Sequence, residues 1–100
     1  MKTVIAEKNG VVVVSVQGEL DTDTSLQFQN DIAPVMERKD AKVELDLSKL
    51  EYMSSKALRI IVALRQAVVK NGGSIIITGV TDTVREVFEM TGLATSLFAE

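Results

Sequence analysis

The sequence predicts a mixed α/β domain: a four- to five-stranded sheet, opened by a β-hairpin, with about four helices packed on it. Three observations carry this prediction. Asn9-Gly10 separates two stretches with strand character, and Asn-Gly is the strongest short hairpin signal. After the hairpin, strand-like and helix-like segments alternate, which places helices on a sheet and makes crossovers between parallel strands right-handed. The composition supplies an aliphatic core, since 46% of the 100 residues are hydrophobic and only 4% aromatic. With 25% charged residues and no linker, repeat or low-complexity stretch, the chain reads as a single folded domain over 1–100.

The elements follow in order. Thr3 to Glu7 is a short first strand. Val11 to Gln17 is rich in β-branched residues and reads as a buried strand that ends at Gly18. Thr22 or Asp23 caps a helix beginning near Thr24, in which Leu26, Phe28, Ile32, Val35 and Met36 keep an approximate helical spacing. Pro34 lies inside that pattern and is expected to kink the helix or split off its last turn. Val43, Leu45 and Leu47 alternate with Glu44, Asp46 and Ser48, a strand with two differently solvated faces.

The second main helix has the clearest signature. Ala57, Ile60, Ile61, Leu64, Ala67 and Val68 form its apolar stripe, and Lys56, Arg59, Ala63, Gln66 and Lys70 lie on a wetter one. Ser54 is its N-cap, which puts Met53 and Leu58 at the positions of a hydrophobic staple. Asn71-Gly72-Gly73 stops it. Ile75-Ile76-Ile77 marks another buried strand. Thr81 or Asp82 starts a short helix carrying Val84, Val87, Phe88 and Met90, broken at Thr91-Gly92-Leu93, and a last helix runs from Ala94 towards Phe98.

What is missing limits the chemistry. Without His or Cys there is no Ser-His-Asp or Cys-His nucleophile, no thiol redox pair, no disulfide and no ordinary structural zinc site. Zero Cys is compatible with a cytoplasmic protein. A net charge of -3 with scattered Lys and Arg argues against nucleic-acid binding. No apolar stretch leads to a cleavage site after Lys2, and none reaches the roughly 18 residues that would span a membrane. Glu19, Glu44 and Glu51 have no fixed mutual distance, so the sequence does not read as an enzyme's, and it implies no cofactor. Gly72-Gly73 lacks phosphate-loop spacing and follows a helix, so it is a C-cap and turn.

Two groups of residues remain as candidates. Ser54 and Ser55 stand where a strand hands over to a helix, with Lys56 beside them and Arg59 one turn on. A helix start offers unpaired N–H groups and a positive dipole end, so a phosphate on Ser55 would be well placed. Equally, Ser54 caps and Ser55 is a polar first-turn residue. Asp21, Asp23 and Asp46 could cluster at strand ends to hold a cation or a partner, or they cap and solvate.

Gly18-Glu19-Leu20-Asp21, Val43 to Ser48, Tyr52-Met53-Ser54-Ser55-Lys56-Ala57-Leu58-Arg59, Asn71-Gly72-Gly73 and Met90 to Leu93 together resemble, in order and spacing, the STAS domain of bacterial anti-sigma factor antagonists. The resemblance covers nearly the whole chain and implies the STAS fold. It implies a cytoplasmic, non-enzymatic regulator of transcription, a monomer that touches neither nucleic acid nor membrane. Its partner would be an anti-sigma factor with a serine-kinase-type ATPase fold, released when the kinase phosphorylates a Ser at a helix start. A phosphatase would reset the switch.

The family motif Asp-Ser-Ser/Thr-Gly-Leu places the phosphorylated Ser on Ser55, with Ser54 as second choice. Here Ser54 replaces the Asp, Lys56 the second hydroxyl residue and Ala57 the Gly, adding a methyl group where the partner is expected to approach. The partner surface implied combines Asp21, Asp23 and Thr24 with Ser54, Ser55, Lys56 and Arg59. Two other readings keep the fold: a constitutive STAS scaffold beside a transporter or in a stress complex, without a phospho-switch, and a sensor binding a small ligand or anion at Ser54-Ser55.

Overall fold

The computed structural model describes residues 1–91. The helix expected over 94–98 lies outside the described residues. The elements run β1 (Lys2–Lys8), β2 (Val11–Leu20), α1 (Thr22–Met36), β3 (Lys42–Met53), α2 (Ser55–Lys70), β4 (Ser74–Val80) and α3 (Asp82–Thr91). They form a four-stranded mixed sheet in the order β1-β2-β3-β4, with three helices among the described residues. β1 pairs with β2 antiparallel, and the β2/β3 and β3/β4 pairs are parallel.

The hairpin forms as its sequence predicts. Asn9 and Gly10 both have positive φ, 52° and 80°, which a two-residue turn matching the strand twist requires. Register then sorts the side chains. Val12, Val43 and Ile75 lie abreast, as do Val14, Leu45 and Ile77, and all six are buried. The alternate rows, Val13-Glu44-Ile76 and Ser15-Asp46-Thr78, lie on the open face. The buried stripes of the helices join the first set in one core, so the helices cover a single face of the sheet.

The structure corrects four sequence expectations. α1 begins at Thr22 with Asp21 as its N-cap, not with Thr22 or Asp23 as cap. Its buried stripe is Ser25, Phe28, Ile32 and Val35, which leaves Leu26 57% exposed. Pro34 does not split the helix. It sits in the last turn, and both Pro34 and Asn30 are exposed, so the residue whose carbonyl loses its donor lies in water. Nor does Gly18 end β2, which continues to Leu20 with Gly18 at φ 90°.

Asn71-Gly72-Gly73 closes α2 as expected, and its geometry explains the second glycine. A Cβ on Gly73 would collide with the carbonyl of Ala41, whose oxygen already accepts from Ser74 N–H at 2.9 Å. Backbone cannot move aside as a flexible side chain can. Gly73→Ala is therefore expected to cost about 2 kcal/mol. A urea titration should show a lower midpoint with an unchanged slope. An unchanged midpoint would refute the clash.

A candidate partner-docking site at the start of two helices

Parallel strands bring the candidate residues to one edge. β2, β3 and β4 all end there, so α1, α2 and α3 all begin there. How far each strand runs is set by irregularities in the sheet. Ser15 to Leu20 of β2 pairs with Asp46 to Met53 of β3, and β3 takes its extra residues between Ser15/Gln17 and between Gly18/Glu19. Such bulges shift side chains from one face to the other. Leu47, Leu50 and Met53 are consequently all buried although they are three apart, where a regular strand would alternate. The outcome pairs Met53 with Leu20 and places Ser54 one residue beyond, where its N–H donates to the Leu20 carbonyl at 2.8 Å.

The start of α1 is a reciprocal cap. Asp21 Oδ1 accepts from Thr24 N–H at 2.8 Å, and Asp21 N–H donates to Thr24 Oγ1 at 3.0 Å. The Thr24 hydroxyl also lies 3.0 Å from the Glu19 carbonyl and 3.0 Å from Asp21 Oδ1. The start of α2 uses Ser54, whose Oγ accepts from Ala57 N–H at 3.1 Å and whose carbonyl accepts from Leu58 N–H at 3.1 Å. Ser25 joins the two starts: fully buried, its hydroxyl donates to the Asp21 carbonyl and stands 3.5 Å from Ser54 Oγ. Met53 and Leu58 are both buried beneath this turn.

These bonds separate two kinds of candidate residue. Thr24 and Ser54 are half-buried and committed to the caps. Asp21, Asp23, Ser55, Lys56 and Arg59 are exposed. Among the described residues neither the Ser55 hydroxyl nor the N–H groups of Ser55 and Lys56 have a partner in the protein. Electrostatically the three helix starts differ. α1 has Asp23 and α3 has Asp82 in the first turn, whereas α2 has no acid there and carries Lys56 instead. Among the described helices, α2 is thus the one whose positive end has no acid in its first turn.

Among the candidate residues, Asp21 has a carboxyl whose titration its cap bonds perturb. The Thr24 backbone N–H, and then its hydroxyl, hold the Asp21 carboxyl below its ordinary value of 3.8. A depressed folded value means that ionised Asp21 stabilises the fold above 3.8 and that this contribution fades as pH falls through the lower folded value. The stability gap between wild type and Asp21→Ala is therefore expected to be full at pH 7 and to shrink as pH falls below the ordinary carboxyl value of 3.8. Denaturant titrations across that range will read it, and a gap independent of pH would contradict the bonding described.

Other candidate features resolve differently. Asp21, Asp23 and Asp46 do not converge: no group of three or more acids able to hold a metal occurs among the described residues, and Asp46 Oδ1 accepts from Ser48 N–H at 2.9 Å. Ala57 is fully buried, so its methyl group faces the core and not an approaching partner. Three relevant residues escape a sequence reading. Ser25 is visible only as a polar interruption of the Phe28-Ile32-Val35 stripe. Leu26 and Tyr52 are large, exposed and next to the cap residues, at 57% and 44%. A helical spacing of apolar residues gave no reason to place Leu26 outside the core.

Residues 2–99 match the model of the STAS domain family. The chain belongs to the STAS domain family. Among relatives of this STAS domain, the anti-sigma-B factor antagonist of Staphylococcus aureus is 31% identical over 80 residues, covering 80% of this chain and 74% of that one. The crystal structure of an anti-sigma factor antagonist from Mycobacterium paratuberculosis superposes with a TM-score of 0.85 at 28% identity, covering 96% of this chain and 81% of that chain. The unphosphorylated form of the anti-sigma factor antagonist SpoIIAA superposes at 0.82 with 20% identity, over 98% and 86% of the two chains, a likeness of fold alone.

Proposed function

We propose that this STAS domain is an anti-sigma factor antagonist: it binds an anti-sigma factor at the exposed edge around Ser55 and lets go when Ser55 is phosphorylated. Support for the partner class comes from its relatives, which are named anti-sigma factor antagonists. The observation that carries the site is the division of labour between two adjacent serines. Ser54 is held by the Ala57 N–H and by Ser25, whereas Ser55 is exposed with an uncommitted hydroxyl at the first position of α2.

Phosphorylation adds a charge of about -1.5 to -2 at neutral pH. At a helix start that charge is tolerated by the fold, and Lys56 and Arg59 lie beside it. A docked partner surface loses water and has no such tolerance, so the modification acts at the interface rather than on the fold. The partner is an anti-sigma factor with a serine-kinase-type ATPase fold, and a phosphatase reverses its action. The test is direct. The chain is incubated with ATP and lysate of its native host, and the phosphate is then located by peptide mass spectrometry. A phosphate on Ser55 that Ser55→Ala abolishes is the expected result. A phosphate on Ser54, or on neither serine, overturns the assignment.

A further inference from the structure

Between α1 and α2 runs a groove of about 260 Å³, walled by Gln29 and Met36 on one side and by Lys56, Arg59, Ile60 and Ala63 on the other. The α2 residues follow the i, i+3, i+4, i+7 pattern, so the groove follows two turns of helix, roughly 10 Å. Met36, Ile60 and Ala63 give it apolar walls, and Lys56 and Arg59 stand at the end next to Ser55. Its volume falls below the roughly 300–1,000 Å³ of small-molecule sites, so it suits side chains better than a metabolite.

The charges there are unbalanced. Among the described residues neither Lys56 nor Arg59 has a carboxylate within ion-pair distance, whereas Arg38 meets Glu7 at 3.1 Å. Two cations in the first turns of a helix oppose its dipole, and this chain places no acid there to offset them. Both side chains are exposed, so the pair is open to a counter-charge from a binding partner.

We propose that the groove seats an acidic amphipathic helix of the binding partner. This rests on the partner-binding reading above and names the part of the partner that docks. Apolar side chains of that helix, one turn apart, lie against Met36, Ile60 and Ala63, and its carboxylates meet Lys56 and Arg59. A helix fits because the walls are two roughly parallel helices with no free strand edge between them. The arrangement also supplies a route to release. Arg59 is four residues beyond Ser55, the spacing at which helix neighbours meet. A phosphate on Ser55 accepts the guanidinium as well as a carboxylate does, and so competes with the partner for the same cation.

Photo-cross-linking tests this on the full chain. A benzoylphenylalanine is placed at Ala63 in the groove, at Leu26 near the cap residues, or at Val69, which is 50% exposed and outside the groove lining. Each variant is checked for an unchanged melting temperature, mixed with host lysate and irradiated, and the cross-linked peptides are sequenced. The expected result is one protein captured from Ala63 and not from Val69, through a peptide rich in Asp and Glu with apolar residues at helical spacing. Lys56→Glu with Arg59→Glu should cut that yield at least tenfold. Capture from Leu26 but not from Ala63 overturns the groove and leaves the partner-binding reading standing. So does an Ala63 cross-link to a basic peptide or to a second copy of this chain. No capture from any position removes both.

Discussion

Ser55→Asp is expected to weaken partner binding by about 3 kcal/mol, roughly a hundredfold in Kd, while the fold holds or gains slightly. The opposite signs come from one position. Ser55 is exposed at the start of α2, where the chain has no acid, so a carboxylate there interacts favourably with the helix dipole by about 0.3–1 kcal/mol. In the complex the same carboxylate loses water and takes up Lys56 and Arg59, leaving the partner's charges unmatched. Titration calorimetry against the purified partner and thermal melting of the free chain read the two effects separately. Ser55→Asn, of similar size and uncharged, should bind within a few-fold of wild type. Equal binding by Ser55→Asp and wild type would leave a scaffold without a switch. A collapsed melting temperature would mean that Ser55 is structural.

Phe28→Ala is expected to cost about 3–5 kcal/mol. Phe28 is fully buried among the largest core side chains, and it anchors the middle of α1 to the sheet. Small domains have only about 5–15 kcal/mol in total, so this single change takes a large share. Leu26→Ala, two residues away and 57% exposed, should stay within about 0.5 kcal/mol. A urea titration of both variants checks the pair. Comparable losses would mean that the stripe assignment on α1 is wrong.

Much of this architecture is legible in the sequence, for physical reasons that differ by element. Asn9-Gly10 reads correctly because few residues other than Asn and Gly accept positive φ twice in succession. α2 reads correctly because its apolar stripe, its Ser54 cap and its glycine stop agree with one another. α1 is harder. Its cap pairs Asp21 with Thr24 where Glu or Gln is the usual second partner, and the helix consequently starts earlier than expected. Its stripe includes the buried Ser25, whose hydroxyl bonds back to the Asp21 carbonyl four residues earlier and also lies against Ser54, a contact that no local pattern reveals. The bulges in β3 are invisible for a related reason: they belong to the pairing of two strands distant in sequence. At the site, Ser54 and Ser55 are adjacent and chemically alike. Only the Ala57 and Ser25 contacts tell which of them is already in use.

The pairing of β3 with β2 makes segment length, more than residue identity, the quantity that places Ser55. From Asp46 to Met53 the chain spends two residues more than β2 does from Ser15 to Leu20, and Ser54 then bonds the Leu20 carbonyl and stands within reach of Ser25. Removing one residue between Leu47 and Tyr52 would draw Ser54 back by about 3.3 Å and turn alternate side chains over. Both contacts that align the two helix starts would go, with every residue of the site still present. Ser48, Lys49 and Glu51 are exposed, so the fold sets little demand on their identities. Their number is fixed, and the segment works as a gauge block whose thickness sets where the two helices begin.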